Sequence, residues 1–233
     1  MISMSKIFDS NNANGVIDDR SPHRILDAFG DVEKCKIDEV YKADELTITA
    51  TGTSPVAASL LPGAIALITT GSDEYDGDNI QVVGSRFKLD AGKPAYFGAK
   101  LTISDATQSD LLVGLCGVDT TLTAASSAHA VAVSAGGVFF SKLDAVTAGF
   151  FKTYSTGTEK NSAAAFTMDT SAHTYEFYFD GYKLYGYFDG ALIATFTDTI
   201  TTEVLTPSIS FRTGATAAIT CTVHWMRAFQ LRT

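Results

Sequence analysis

Four carboxylates crowd the stretch SDEYDGDN, Ser72 to Asn79: Asp73, Glu74, Asp76 and Asp78. Alternating carboxylates around a glycine form the oxygen-rich pattern that calcium takes. The stretch lacks the twelve-residue spacing and closing glutamate of an EF-hand loop, so it reads first as a solvated turn and only second as a metal site. Cys221-x-x-His224 has a zinc-like spacing, but on a strand the two side chains face opposite ways and no second Cys-x-x-Cys pair exists to complete a tetrahedron. The expectation is a buried thiol, a surface imidazole and no metal or cofactor.

Glycoside cleavage needs two carboxylates set across a bond, ~5 to 9.5 Å apart, which on one strand means acidic residues at i and i+2 or i+4. No strand shows that ladder: Glu176 stands among aromatics, and Asp180 and Asp189 belong to turns. The sequence has no G-x-S-x-G elbow, phosphate-binding loop or dinucleotide glycine motif. His23, His129, His173 and His224 have no serine or cysteine context from which a triad can be read. These residues predict a chain without catalytic activity.

What remains is a set of tyrosines, Tyr178, Tyr185 and Tyr187, within HTYEFYFDGYKLYGYFDGALIATFTDT, His173 to Thr199. Asp-Gly between runs of β-formers is a hairpin signal, because both residues tolerate the positive φ of a tight turn. The stretch therefore reads as a three-strand meander turning at Asp180-Gly181 and Asp189-Gly190. Two-residue turns place Phe179 opposite Tyr182, Phe188 opposite Ala191 and Gly186 opposite Ile193. One face is then Tyr175, Phe177, Phe179, Tyr182, Leu184, Phe188 and Ile193, a core face. The other carries Glu176, Tyr178, Lys183, Tyr185, Tyr187, Leu192, Ala194 and Phe196. Tyrosines pair a large contact area with a polar handle, so this second face suits protein contact, sugar contact or the second half of a sandwich core.

The elements around the meander have the same texture. From Leu46 onward, strand-like runs such as LTITA, IQVVGSRFKL, AYFGAKLTI, DLLVGLCGV and GVFFSKL alternate with turn clusters such as STGTEKNS, and long helical periodicity is nowhere evident. About a dozen strands imply an all-β fold, an antiparallel two-sheet jelly-roll sandwich. In the last run, period two points Cys221, Val223 and Trp225 inward. With 233 residues, 45% of them hydrophobic, the chain is long enough for one such domain.

The formal net charge of −9 and the scattering of the 17 basic residues argue against nucleic acid as a partner. No apolar run approaches the ~18 residues of a membrane span, and the opening MISMSKIFDSNNANG lacks a signal-peptide core, so no membrane partner is expected. Cys35, Cys116 and Cys221 are an odd, scattered set that suits free thiols better than disulfides. Residues 1–45 hold 10 of the 26 acidic residues and read as an irregular lead-in to the sandwich of 46–233. Within that arm the apolar anchors Ile7, Phe8, Ile25, Leu26 and Phe29 sit singly among polar residues. They are candidates for docking onto a partner, or for covering the open end of the chain's own sandwich.

The run YFGAKLTISDATQSDLLVGLCGVDTTL, Tyr96 to Leu122, followed by the meander and by LTPSISFRTGATAAITCTVHWMRAFQ, resembles a group of tailed-phage virion proteins with a concanavalin A-like (laminin G-like) jelly-roll sandwich. The likeness spans roughly Asn79 to Gln230. It implies a non-enzymatic structural protein on the capsid exterior, assembled in the host cytoplasm: a decoration protein that binds the major capsid protein as a homo-oligomer, a trimer favoured over a dimer. It carries over no catalytic or metal-binding residue. The alternative is a carbohydrate-binding module of a phage fibre that adsorbs to host-surface glycans.

Overall fold

The computed structural model describes residues 32–37, 46–53, 58–60, 66–84, 87–124, 129–197 and 200–231. Strand alternation builds two antiparallel sheets that pack face to face. Sheet A runs in the order β13 (Ala191–Phe196), β12 (Leu184–Phe188), β11 (Ala172–Phe179), β6 (Ala95–Ile103), β15 (Thr220–Leu231), β4 (Ala66–Thr69) and β3 (Ser59–Leu60). A further strand, β1 (Val32–Ile37), pairs with the second half of β15, so part of the stretch expected to be an irregular lead-in joins the sheet. Sheet B runs β10 (Thr158–Thr167), β9 (Ala148–Ser155), β8 (Gly137–Lys142), β7 (Ser109–Cys116), β14 (Thr206–Thr213), β5 (Gly77–Val82) and β2 (Leu46–Thr51). The all-β jelly-roll architecture expected from the sequence is the one observed.

The core lies between the sheets, where Phe97 stacks on Phe177 at 5.4 Å and Phe140 meets Phe151 at 4.7 Å. Phe151 also reaches Phe177 at 6.1 Å, linking the sheets. Burying each such ring contributes about 1.5 to 3 kcal/mol. Gly186 lies opposite Phe177 because a Cβ there would stand 2.6 Å from the Phe151 ring.

The meander forms with two departures from the two-residue-turn register. Asp180 closes a wider first turn: its N–H donates to Lys183 O at 3.0 Å, and its Oδ1 accepts the N–H groups of Tyr182 and Lys183. Phe179 therefore pairs with Leu184, and Tyr182 leaves the sheet, 71% exposed, instead of joining the core. The second turn is the expected one, with positive φ at Asp189 and Gly190 and Phe188 opposite Ala191. A bulge after Gly186 then places Ala194, not Ile193, opposite that glycine and turns Phe196 inward onto Phe151 at 5.4 Å.

A second bulge separates Val223 from Trp225 in β15. Cys221 and Val223 point inward as expected, but the extra residue reverses the alternation, so Met226 and Ala228 fill the core beyond it. Trp225 is half-buried on the outer side with the Arg227 guanidinium 4.8 Å over its ring, and the expectation of a core tryptophan fails there.

Candidate functional site

The outer face of sheet A gathers the three singled-out tyrosines. Register aligns Tyr185, Tyr178, Tyr96 and Phe229 in one row across four strands. Tyr178 and Tyr185 stack at 6.2 Å, and Tyr96 and Phe229 at 5.8 Å. Burial pushes the Tyr178 phenol up to about 12. Tyr185 and Tyr187 are half-buried, and Tyr185 donates to Asp180 Oδ2 at 3.1 Å. Glu176 is not isolated, since it accepts a 2.5 Å bond from Tyr96. The anchors Ile7, Phe8, Ile25, Leu26 and Phe29 lie outside the described residues.

The outer face of sheet B is polar. Asn79, Gln81, Ser208, Ser210, Arg212 and Asp110 all point outward from its central strands, yet all are buried, because the connection from β7 to β8 crosses over them. Gln81 clamps this strap twice: Nε2 donates to Gly117 O at 3.1 Å, and Oε1 accepts the Asp119 N–H at 2.9 Å. The Thr123 and Ser210 hydroxyls pair at 2.8 Å, and Arg212 Nη1 donates to Ala124 O. Leu122 and Val133 of the strap cover Leu112, Cys116 and Phe139, making a small second core.

At the far end of the strap, His129 joins side chains from three other segments. Its Nδ1 lies 2.7 Å from Asp110 Oδ2, and its Nε2 lies 3.2 Å from Glu74 Oε1 and 3.8 Å from Asp144 Oδ2. Asp110 is fully buried at the start of β7 and also accepts the Asp144 N–H at 2.8 Å. Burial raises the Asp110 carboxyl, with the His129 bond opposing it. Burial alone would lower the imidazole, but the bond and charge of Asp110, the bond to Glu74 and the charge of Asp144 outweigh it and raise His129. A buried carboxylate on Nδ1 fixes the ring and turns Nε2 toward the surface. Tyr75 stacks on this ring at 4.6 Å, held there with φ of 73°, a left-handed backbone that a tyrosine seldom adopts. Glu74 and Asp144 approach the same nitrogen, so two carboxylates from different loops converge on one spot, their near oxygens at most about 7 Å apart.

The acidic stretch is therefore more than a solvated turn, because its carboxylates diverge. Glu74 reaches His129, while Asp76 caps the loop by accepting the Thr53 and Asp73 N–H groups. Asp78 turns into the interior, where burial pushes it up to about 6. Among the described residues no group of three or more His, Cys, Asp and Glu side chains is arranged to hold a metal ion. Cys221 is a free buried thiol, pushed up to about 12 by burial, and His224 meets Thr102 Oγ1 at 2.8 Å. Sequence reasoning missed Asp110, His129 and Asp144. Only one of them left a sign: Asp110 is the charged residue of the otherwise apolar run DLLVGLC.

No family model and no curated protein matches this sequence. Among solved structures the chain is similar to the Bacillus licheniformis β-glucanase, at 14% identity and a TM-score of 0.61, covering 88% of this chain and 99% of that one. It is similar to the endo-1,3-β-glucanase from Streptomyces sioyaensis at 14% identity and a TM-score of 0.62, covering 87% and 96%. It is also similar to the Emp46p carbohydrate recognition domain at 14% identity and a TM-score of 0.56, covering 82% and 93%. These likenesses establish the concanavalin A-like jelly-roll fold. They also correct two expectations, the capsid decoration role and the absence of enzymatic activity. The similar structures include glycoside hydrolases, a transglycosylase and a carbohydrate recognition domain, and none of these is a virion protein.

Proposed function

We propose that this protein recognises carbohydrate, with Glu74, Tyr75, His129 and Asp144 as the site. The observation that carries the reading is the half-buried Tyr75 ring held beside two carboxylates and an oriented imidazole at the surface. An aromatic face takes the apolar side of a sugar ring, and carboxylates accept its hydroxyl protons. The fold relatives named as glucanases and as a carbohydrate recognition domain support the same ligand class. The resemblance to tailed-phage virion proteins supports a fibre-borne adsorption module as the setting, with the Tyr178, Tyr185 and Tyr187 face as the contact between copies. Affinity electrophoresis in gels containing laminarin, mixed-linked β-glucan or glycol chitin tests the reading. Wild type is retarded by at least one polymer, and Tyr75→Ala with Glu74→Gln migrates as in the empty gel. Equal retardation of both proteins, or of neither, overturns it.

A second reading, glycosidic bond cleavage at this site, is favoured by the convergence of two carboxylates, Glu74 and Asp144, on one spot beside Tyr75. General acid–base catalysis is worth about 100- to 10,000-fold, so Glu74→Gln or Asp144→Asn should lower reducing-sugar release from those polymers by that order. Release that is undetectable in wild type refutes the cleavage reading and leaves recognition standing.

A further inference from the structure

Beside the edge strand β2 the outer face of sheet B has a hollow of about 100 Å³ among the described residues. Its wall includes Thr47 and Thr49, which point outward from β2, and Thr120 at the start of the strap. Its floor is rigid. Gln81 is spent on the strap and on Ser208 Oγ at 2.8 Å, and Asn79 is tied through its Nδ2 to Thr120 O while its Oδ1 keeps no partner among the described residues. Two exposed apolar side chains border it, Val83 at 45% and Val118 at 67% exposure. Threonine hydroxyls beside uncovered valines, over a floor that cannot move, form a small amphipathic recess. A solvated surface gains nothing from leaving two valines uncovered at one spot.

We infer that this hollow is a subsite for one sugar unit of an extended oligosaccharide whose other end occupies the Glu74–Tyr75–His129 site. The inference rests on the carbohydrate reading above. A sugar ring carries hydroxyls on its edge and C–H groups on its faces, which match Thr47 and Thr49 on one side and Val83 and Val118 on the other. The volume is well below the ~300 Å³ of a complete ligand pocket, as befits one unit of a chain. β2 lies three strands from β7, which carries Asp110, so the two sites are offset by about 14 Å across the sheet at about 4.8 Å per strand, and Asp110 is in register with Thr51, two residues along β2 from Thr49 and four from Thr47. The strap borders both, through Val118 and Thr120 at the hollow and His129 at the first site. A ligand that touches both sites must be several units long, so the substrate class is an internal stretch of polysaccharide rather than a terminal sugar.

Isothermal titration of the full chain with laminari- and chito-oligosaccharides, from monosaccharide to hexasaccharide, tests this. In at least one ladder, affinity should rise with length. The isosteric pair Thr47→Val with Thr49→Val, and separately the surface change Val118→Asp, should cost the hexasaccharide about tenfold and the shorter members nothing. Affinity that does not grow with length overturns the inference, as does a hexasaccharide that binds both variants as it binds wild type. Short-chain binding that Tyr75→Ala removes but the hollow variants leave alone sinks the inference and keeps the carbohydrate reading. Absence of binding to both ladders sinks both.

Discussion

Asp78 offers the sharpest test of how this sandwich is held together. Its side chain is fully buried on β5, between Ala50 of β2 and Phe211 of β14. Burial pushes its carboxyl up to about 6, and neither oxygen meets a hydrogen-bond partner among the described residues. In the unfolded chain an aspartate titrates near 3.9. The folded protein therefore holds this proton more tightly than the unfolded one does. Between pH ~4 and ~6 folding takes up a proton, and stability falls as pH rises through that window. A separation of about two units corresponds to about 3 kcal/mol, the ceiling on what ionised Asp78 costs above pH ~7. Asp78→Asn keeps the shape but removes the charge. In urea melts the variant should exceed wild type by about 1 to 3 kcal/mol at pH 8 and match it closely at pH 4. A variant less stable than wild type at pH 8, or one with the same gain at both pH values, would refute the argument.

Three further outcomes follow from the same geometry. The imidazole of His129 should titrate above the ordinary histidine value in an NMR pH series, and Asp110→Asn should bring it down; because its folded value is raised, its contribution to stability is full below pH ~6.5 and is lost as pH rises through that raised value. Phe177→Ala should cost about 3 to 5 kcal/mol in urea melts, whereas Trp225→Ala, on the outer side of the β15 bulge, should cost less than half as much. Tyr185→Ser with Tyr187→Ser should leave the melting temperature within a few degrees of wild type and shift sedimentation toward the monomer, and an unchanged sedimentation profile counts against a contact role.

Period-two alternation and Asp-Gly turns were enough to read the sandwich and, in the meander, the inward Tyr175, Phe177, Phe179 and Leu184, because those signals are local, whereas Tyr182 and Phe196 were misassigned by the turn and the bulge. Bulges were harder, since one extra residue reverses every side chain beyond it. The β15 bulge did leave a trace. Cys221 and Val223 set an odd-numbered apolar phase, while Met226 and Ala228 continue on even numbers, and a strand whose phase switches midway must contain an extra residue. Extending the odd phase placed Trp225 in the core and would have buried Arg227 two residues later, a cost no partner in the core could offset. The charge was the signal that the phase had changed.

The His129 cluster was illegible for a different reason. Glu74, Asp110 and His129 are separated by tens of residues; Glu74 and Tyr75 stand side by side in the acidic stretch, but neither Asp110 nor His129 has a chemical neighbour in its own segment. What brings them together is the strap, and the strap is placed by polar groups that single-strand reasoning assigns to solvent. Gln81, Ser210 and Arg212 would be ordinary outward residues on an open sheet. Here each meets the strap, and Arg212 still keeps Nε and Nη2 without a protein partner, as does the Oδ1 of Asn79. Sealing such donors and acceptors is costly unless ordered water joins them. The apolar contacts of Leu122 and Val133 offset part of that cost, and the rest is carried by the clamp from Gln81 at one end and the Asp110–His129 pair at the other. The group that positions the candidate site is thus also a fastener of the strap. Loss of Asp110 should disturb both together, while changes at Glu74, half exposed and outside the clamp, should disturb the site alone.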